Sequence, residues 1–118
     1  MLVTGGAYKN QLMQSAAVAT GNGTAIVCTD IDGGGYGTLS VQVKGITLAT
    51  ITFEATIDGT NWETIQFTNL SSATAATTAT ADGLYRATVL GLIQVRTRIS
   101  AWTSGTITVT GVLVAGRA

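Results

Sequence analysis

Residues 49–67 read ATITFEATIDGTNWETIQF, and the first nine alternate without a break. Ala49, Ile51, Phe53, Ala55 and Ile57 fall on one side of an extended chain, and Thr50, Thr52, Glu54 and Thr56 on the other, because successive side chains of a strand point to opposite faces. The turn DGTN at 58–61 follows, with aspartate starting it and glycine accepting a positive φ, and WETIQF at 62–67 returns as the partner strand. The stretch predicts a half-buried antiparallel hairpin.

Working outward, TAIVCT at 24–29 and YGTLSVQVK at 36–44 read as strands separated by GGG at 33–35, with Leu39, Val41 and Val43 facing inward. SSATAATTATAD at 71–82 is a low-complexity run of small residues, either an exposed loop or an edge strand paired with something outside the domain. LYRATV at 84–89 resumes the strand pattern. After Gly91, Ile93, Val95, Ile99 and Ala101 share one face while Gln94, Arg96, Arg98 and Ser100 share the other. Thr103-Ser104-Gly105 reads as a short turn.

The last strand, TITVTGVLVA at 106–115, keeps Ile107, Val109 and Leu113 on one face, but Val112 and Val114 appear on the face that Thr106, Thr108 and Thr110 hold polar. That second face is therefore expected to be covered. NQLMQSAAVA at 10–19 suits a short helix or an extended arm equally. With no proline and 15 glycines, the turns fall to glycine, asparagine and aspartate. About seven strands spaced this way predict an all-β fold, an antiparallel β-sandwich of jelly-roll or immunoglobulin-like type. The sandwich is placed at 23–118 and an extended N-terminal arm at 1–22; truncation of residues 1–20 should leave the sandwich folded while abolishing incorporation into particles.

The 118 residues fit one domain. Six basic and six acidic residues give zero formal charge, so neither nucleic acid nor an anionic membrane is an expected partner. No apolar run approaches the length of a bilayer span, and the opening residues lack the form of a signal peptide. Only 10% of residues are charged and mean hydropathy is +0.40, against roughly a quarter charged in an average soluble domain. An exterior so short of ionic groups implies that much of it meets other subunits.

Catalytic candidates are scarce. With no histidine, the commonest general base and zinc ligand are missing, and histidine-based triads are excluded. Cys28 alone makes neither a disulfide nor a structural metal site, and reads as a buried inert thiol. DIDGGG at 30–35 has the look of a calcium loop, yet glycine stands at 34 and valine at 41 where an EF-hand needs oxygen ligands, so it reads as a turn. GGGYG and GNGT lack the lysine of a phosphate loop. Glu54 and Glu63 form the one conceivable carboxylate pair, but Glu54 on a wet threonine face should keep an ordinary pKa. No catalytic residue, cofactor or metal is expected.

Trp62 and Trp102 flank turns, where aromatic rings of sandwich proteins stack on sugars or cap the core; with Tyr36 they are the candidate ligand platform. Arg96 and Arg98 face outward, toward Glu54, Glu63 or a neighbour's carboxylates.

FEATIDGTNWETI, ADGLYRATVLGL and QVRTRISAWTSGTITVTGVL together resemble a recurring β-sandwich module of tailed-phage virion proteins, over about residues 36–115. The resemblance implies virion structure: head decoration or cement proteins, tail components and fibre-attached modules. The small neutral chain fits a capsid cement subunit best, assembled in the host cytoplasm and bridging capsomers with copies of itself and the major capsid protein. A carbohydrate-binding adhesion module and a tail or connector component are the alternatives. The expected interface joins Leu2, Val3, Tyr8, Leu12 and Met13 of the arm to Val112 and Val114, closing a cyclic oligomer such as a trimer.

Overall fold

The computed structural model describes residues 8–29 and 37–115. Within them lie β1 (Tyr8–Ala17), β2 (Gly21–Asn22), β3 (Ile26–Val27), β4 (Thr38–Thr56), β5 (Glu63–Thr64), β6 (Phe67–Asn69), β7 (Thr74–Ala76), β8 (Thr78–Ala79), β9 (Gly83–Thr88) and β10 (Gln94–Val114). The fold is all-β and its pairings are antiparallel. Two strands organise it: β4 spans 19 residues, β10 spans 21, and they pair along their lengths. Both bend midway, so each serves two layers, as strands do when they switch sheets at bulges.

In the first layer β1, the C-terminal half of β10, the N-terminal half of β4, β9, β6 and β7 follow side by side. In the second, β2 and β3 flank the N-terminal half of β10, which pairs with the C-terminal half of β4, flanked in turn by β5 and β8. Inward side chains meet between the layers in one core. Leu39, Val41, Val43, Val109 and Leu113 come from the first layer, and Ile51, Phe53, Val95 and Ile99 from the second. Phe53 stacks on Phe67 with ring centroids 4.2 Å apart and lies 5.8 Å from Tyr85. Each such side chain contributes roughly 1.5–3 kcal/mol of burial.

The bend corrects the turn expected at Thr103-Ser104-Gly105. The chain stays in β10 through these residues, and its pairing with β4 shifts register repeatedly between Ile99 and Thr108. Gly105 has φ 123° and Gly45, nearby on β4, has φ 93°. A Cβ on Gly45 would collide with the Thr106 carbonyl oxygen, and one on Gly105 would come within 2.5 Å of the Gly45 oxygen. The backbones approach so closely that only glycine fits on either side. The strands read separately at 36–44 and 49–57 are thus one strand.

Other expectations also change. From residue 8 onward the arm is β1, a strand of the first layer paired with β10, and Met13 in it is 1% exposed. Removing it strips core as well as edge. The helix alternative for 10–19 falls with it. A bulge between Leu12 and Gln14 turns both Met13 and Gln14 inward. The run at 71–82 forms strands within the domain: β7 pairs β6 as the edge strand of the first layer, and β8 pairs β4. The DGTN turn forms as read, but its return strand pairs with β4 only at Glu54↔Thr64 and Ala55↔Glu63 before the chain leaves for the first layer. Residues 51–56 are buried on both faces, while Ile57, past the strand end, is 70% exposed. Ile93 and Ala101 are exposed, Ala101 because a bulge follows Ile99.

Candidate functional site

The outer face of the second layer carries a compact ionic cluster. Register sets Arg96 opposite Glu54 and Arg98 opposite Thr52, so both guanidiniums reach one carboxylate. Arg96 Nε donates to Glu54 Oε1 at 2.8 Å and Arg98 Nε to Oε2 at 3.0 Å. Trp62 lies over Arg96, whose guanidinium carbon is 4.1 Å from the ring centroid, a cation–π contact. Burial pushes the Glu54 carboxyl upward, but the hydrogen bonds and positive charge of the two arginines outweigh it and hold it below the ordinary value. The wet environment expected for Glu54 is therefore replaced by a shielded one.

The pair with Glu63 does not form. Glu63 stands opposite Ala55, one residue from Thr64 opposite Glu54, which places the two carboxylates on opposite faces of the strand pair. Beside this cluster the turn is closed by Asp58, whose Oδ1 accepts from the Asn61 and Thr60 N–H groups at 2.7 and 2.8 Å. Those bonds, with one from the Asn61 amide, hold its carboxyl far below the usual range. Its role is local: it pins the turn that sets Trp62 over Arg96.

The outer face of the first layer is of another kind. Its cross-strand rows run Leu12, Thr110, Gln42, Leu84; then Asn10, Val112, Ser40, Arg86, Thr68; then Val114, Thr38, Thr88. Leu12, Leu84 and Val114 are 48%, 47% and 40% exposed, and Val112 is half-buried. Alternation along β1 and β10 thus brings Leu12, Val112 and Val114 to one face, and adds Leu84, which the sequence reading passed over. Met13 points the other way, into the core.

The aromatic platform is not assembled by the described residues. Trp62 covers Arg96, while Trp102 is half-buried, packs against the core and donates its indole N–H to the Gly105 carbonyl at 3.0 Å, fixing the bend. Trp102 pairs with Ala49 and Arg96 with Glu54, five residues along β4, which separates the two rings by about 17 Å along the strand. Leu2, Val3 and Tyr36 lie outside the described residues, as do Asp30 and Asp32.

No family model matches the chain, and no curated protein matches it. Among solved structures it is similar to the SPBc2 prophage-derived protein YomS, with a TM-score of 0.84 and 20% identity over 97% of this chain and 98% of that one. It is also similar to the PBSX exported protein XepA, with a TM-score of 0.85 and 20% identity, covering 97% of this chain but 40% of that chain. The first of these is prophage-derived and the second is an exported protein. At this identity the likeness is one of fold.

Proposed function

We propose that this chain is a phage-encoded structural protein of the virion, a decoration or cement subunit that works by non-catalytic contacts with copies of itself and with capsid proteins. The observation that carries this reading is the match in fold, end to end, to a protein encoded by a prophage. The outer face of the first layer supports it. That face sets Leu12, Val112, Val114 and Leu84 among threonines, Ser40, Asn10, Gln42 and a single charge, Arg86, in a chain with 10% charged residues. Sheet faces of this composition associate through buried apolar area, and many repeated contacts raise the free energy needed to separate the bridged partners.

The ionic cluster fits a supporting role. Glu54 is consumed by two arginines, and an acid held ionised in this way has no proton to donate as a general acid. Quantitative mass spectrometry of purified particles, with immunogold labelling, tests the reading. Hundreds of copies on the head support a cement protein. A few copies at the tail tip mean adhesion, a ring-sized number means a connector, and absence from particles overturns virion structure.

A further inference from the structure

The ionic cluster on the outer face of the second layer carries a charge that the described residues do not balance. Two guanidiniums meet one carboxylate, which leaves one positive charge in excess. Glu54 takes up only the Nε–H of each arginine, one on each oxygen, and among the described residues the Nη groups of Arg96 and Arg98 have no hydrogen-bond partner. Neither arginine makes the paired, two-bond contact that its planar fork allows. No other described carboxylate pairs with them. Asp58 spends its oxygens on Thr56, Thr60 and Asn61, Asp82 accepts from the Ile46 N–H at the bend, and Glu63 lies on the opposite face of its strand pair.

The arginines are positioned before any ligand arrives. Arg96 is held from two sides, by Glu54 and by the Trp62 ring 4.1 Å away, and its side chain is 19% exposed. Arg98, two residues along β10, is 39% exposed and presents its unused donors to solvent. Register adds neutral hydrogen-bonding groups to the same face, with Asn22 opposite Arg98 and Thr64 opposite Glu54, both exposed. Because Glu54 already fixes the Nε of both arginines, little side-chain freedom is left to lose on binding.

From this arrangement we infer that the outer face of the second layer docks an acidic segment of a partner protein, with one carboxylate of that segment taking the free Nη groups of Arg96 and Arg98. The charge selects the ligand. One added carboxylate brings the cluster to neutrality, whereas a doubly charged phosphate beside Glu54 would leave it one unit negative. A small carboxylate ion would gain only exposed hydrogen bonds, while a segment also covers Trp62 and the polar rim, and tryptophan and arginine dominate the centres of protein interfaces. The apolar face assigned to copies of the chain belongs to the other layer, so the two partners do not compete. The inference goes beyond the virion reading, and its test needs no particle, so either can fail alone.

The test is a titration of the full chain at low ionic strength, followed by amide and indole chemical shifts, with a capped Gly-Glu-Glu-Gly peptide, its Gly-Gln-Gln-Gly counterpart and inorganic phosphate. The acidic peptide should give saturable shifts at the Trp62 indole and around residues 52–54, 62–64 and 96–98, with a dissociation constant on the order of millimolar. The Trp102 indole, about 17 Å away along the strand, should not move. The glutamine peptide and phosphate should bind about tenfold more weakly or not at all. Arg98→Gln removes the excess charge but keeps the Arg96–Glu54 pair, and should weaken binding about tenfold, whereas Arg86→Gln, the same charge change on the other layer, should leave it intact. Arg98→Lys keeps the charge without the planar fork, should weaken binding about threefold, and serves if Arg98→Gln does not fold. Sedimentation of Arg98→Gln should match the native chain; a lower oligomer mass would mean that a second copy occupies this face, and would overturn the inference. So would no saturable response at about 20 mM acidic peptide, an equal response to the glutamine peptide or to phosphate, or undiminished binding by Arg98→Gln or Arg98→Lys.

Discussion

Thr97 offers the sharpest test of the packing. It sits on the inner face of β10 opposite Phe53, between Val95 and Ile99, and is 0% exposed. Its carbonyl accepts from Gly23 N–H at 2.7 Å and from Gln14 Nε2 at 3.2 Å, yet its Oγ1 has no hydrogen-bond partner among the described residues. A buried hydroxyl in that state costs about 1–3 kcal/mol. Thr97→Val replaces the hydroxyl with a methyl of nearly the same shape, creating neither cavity nor strain, and keeps the β-branching that suits a strand. The variant should gain about 1–2 kcal/mol, which for a chain of this length raises the melting temperature by roughly 4–8 °C. Urea denaturation should show a higher midpoint at constant slope. Thr52→Val is the matched control: that hydroxyl lies 2.8 Å from Ser100 Oγ, so the same chemical change should destabilise by about 1 kcal/mol. An unchanged or lowered midpoint for Thr97→Val would refute the reasoning, because it would mean that the Thr97 hydroxyl is satisfied.

The bend gives a second prediction. Gly45→Ala or Gly105→Ala should cost about 3 kcal/mol or more, or prevent folding, while Gly59→Ala, with φ 79° but open space around it, should cost about 1–2 kcal/mol in denaturant melts. The pH dependence follows from Glu54 and Asp58, both depressed relative to their ordinary values of 4.5 and 3.8. Each contributes stability that is full above those values and is lost as pH falls through the lower folded-state pKa, so urea midpoints should hold near neutrality and decline in acid below about pH 4.5. Glu54→Gln should flatten part of that decline and lower stability at pH 7 by about 2 kcal/mol, by leaving two arginines without their counter-charge. Val112→Asp combined with Val114→Asp should leave circular dichroism unchanged and reduce the sedimenting species to monomer. An unaltered oligomer mass would remove that face from the assembly proposal.

Much of the site was legible because it lies along uninterrupted alternation. Period two alone put Val112 and Val114 on the outer face of the last strand and set Arg96 and Arg98 on the face shared with Glu54. It could not choose between Glu54 and Glu63 as the acidic partner, since that depends on cross-strand register, which places Glu63 opposite Ala55. Nor could it show Trp62 stacked on Arg96, because the ring arrives from a turn whose geometry Asp58 fixes. Met13 looked like its neighbour Leu12 in an arm, and a bulge, invisible in composition, turned it inward.

By itself the sequence determined an all-β chain, the position of the DGTN hairpin, and inward Leu39, Val41, Val43, Phe53 and Val109, because side-chain alternation is a local property of extended backbone. Tertiary structure alone decided that β4 and β10 are single bent strands shared by two layers. The same glycine with positive φ makes a turn when the chain reverses and a bulge when a partner strand bends beside it. Gly105 does the second because Gly45 yields on the opposite strand, a contact between residues far apart in sequence that no local pattern encodes.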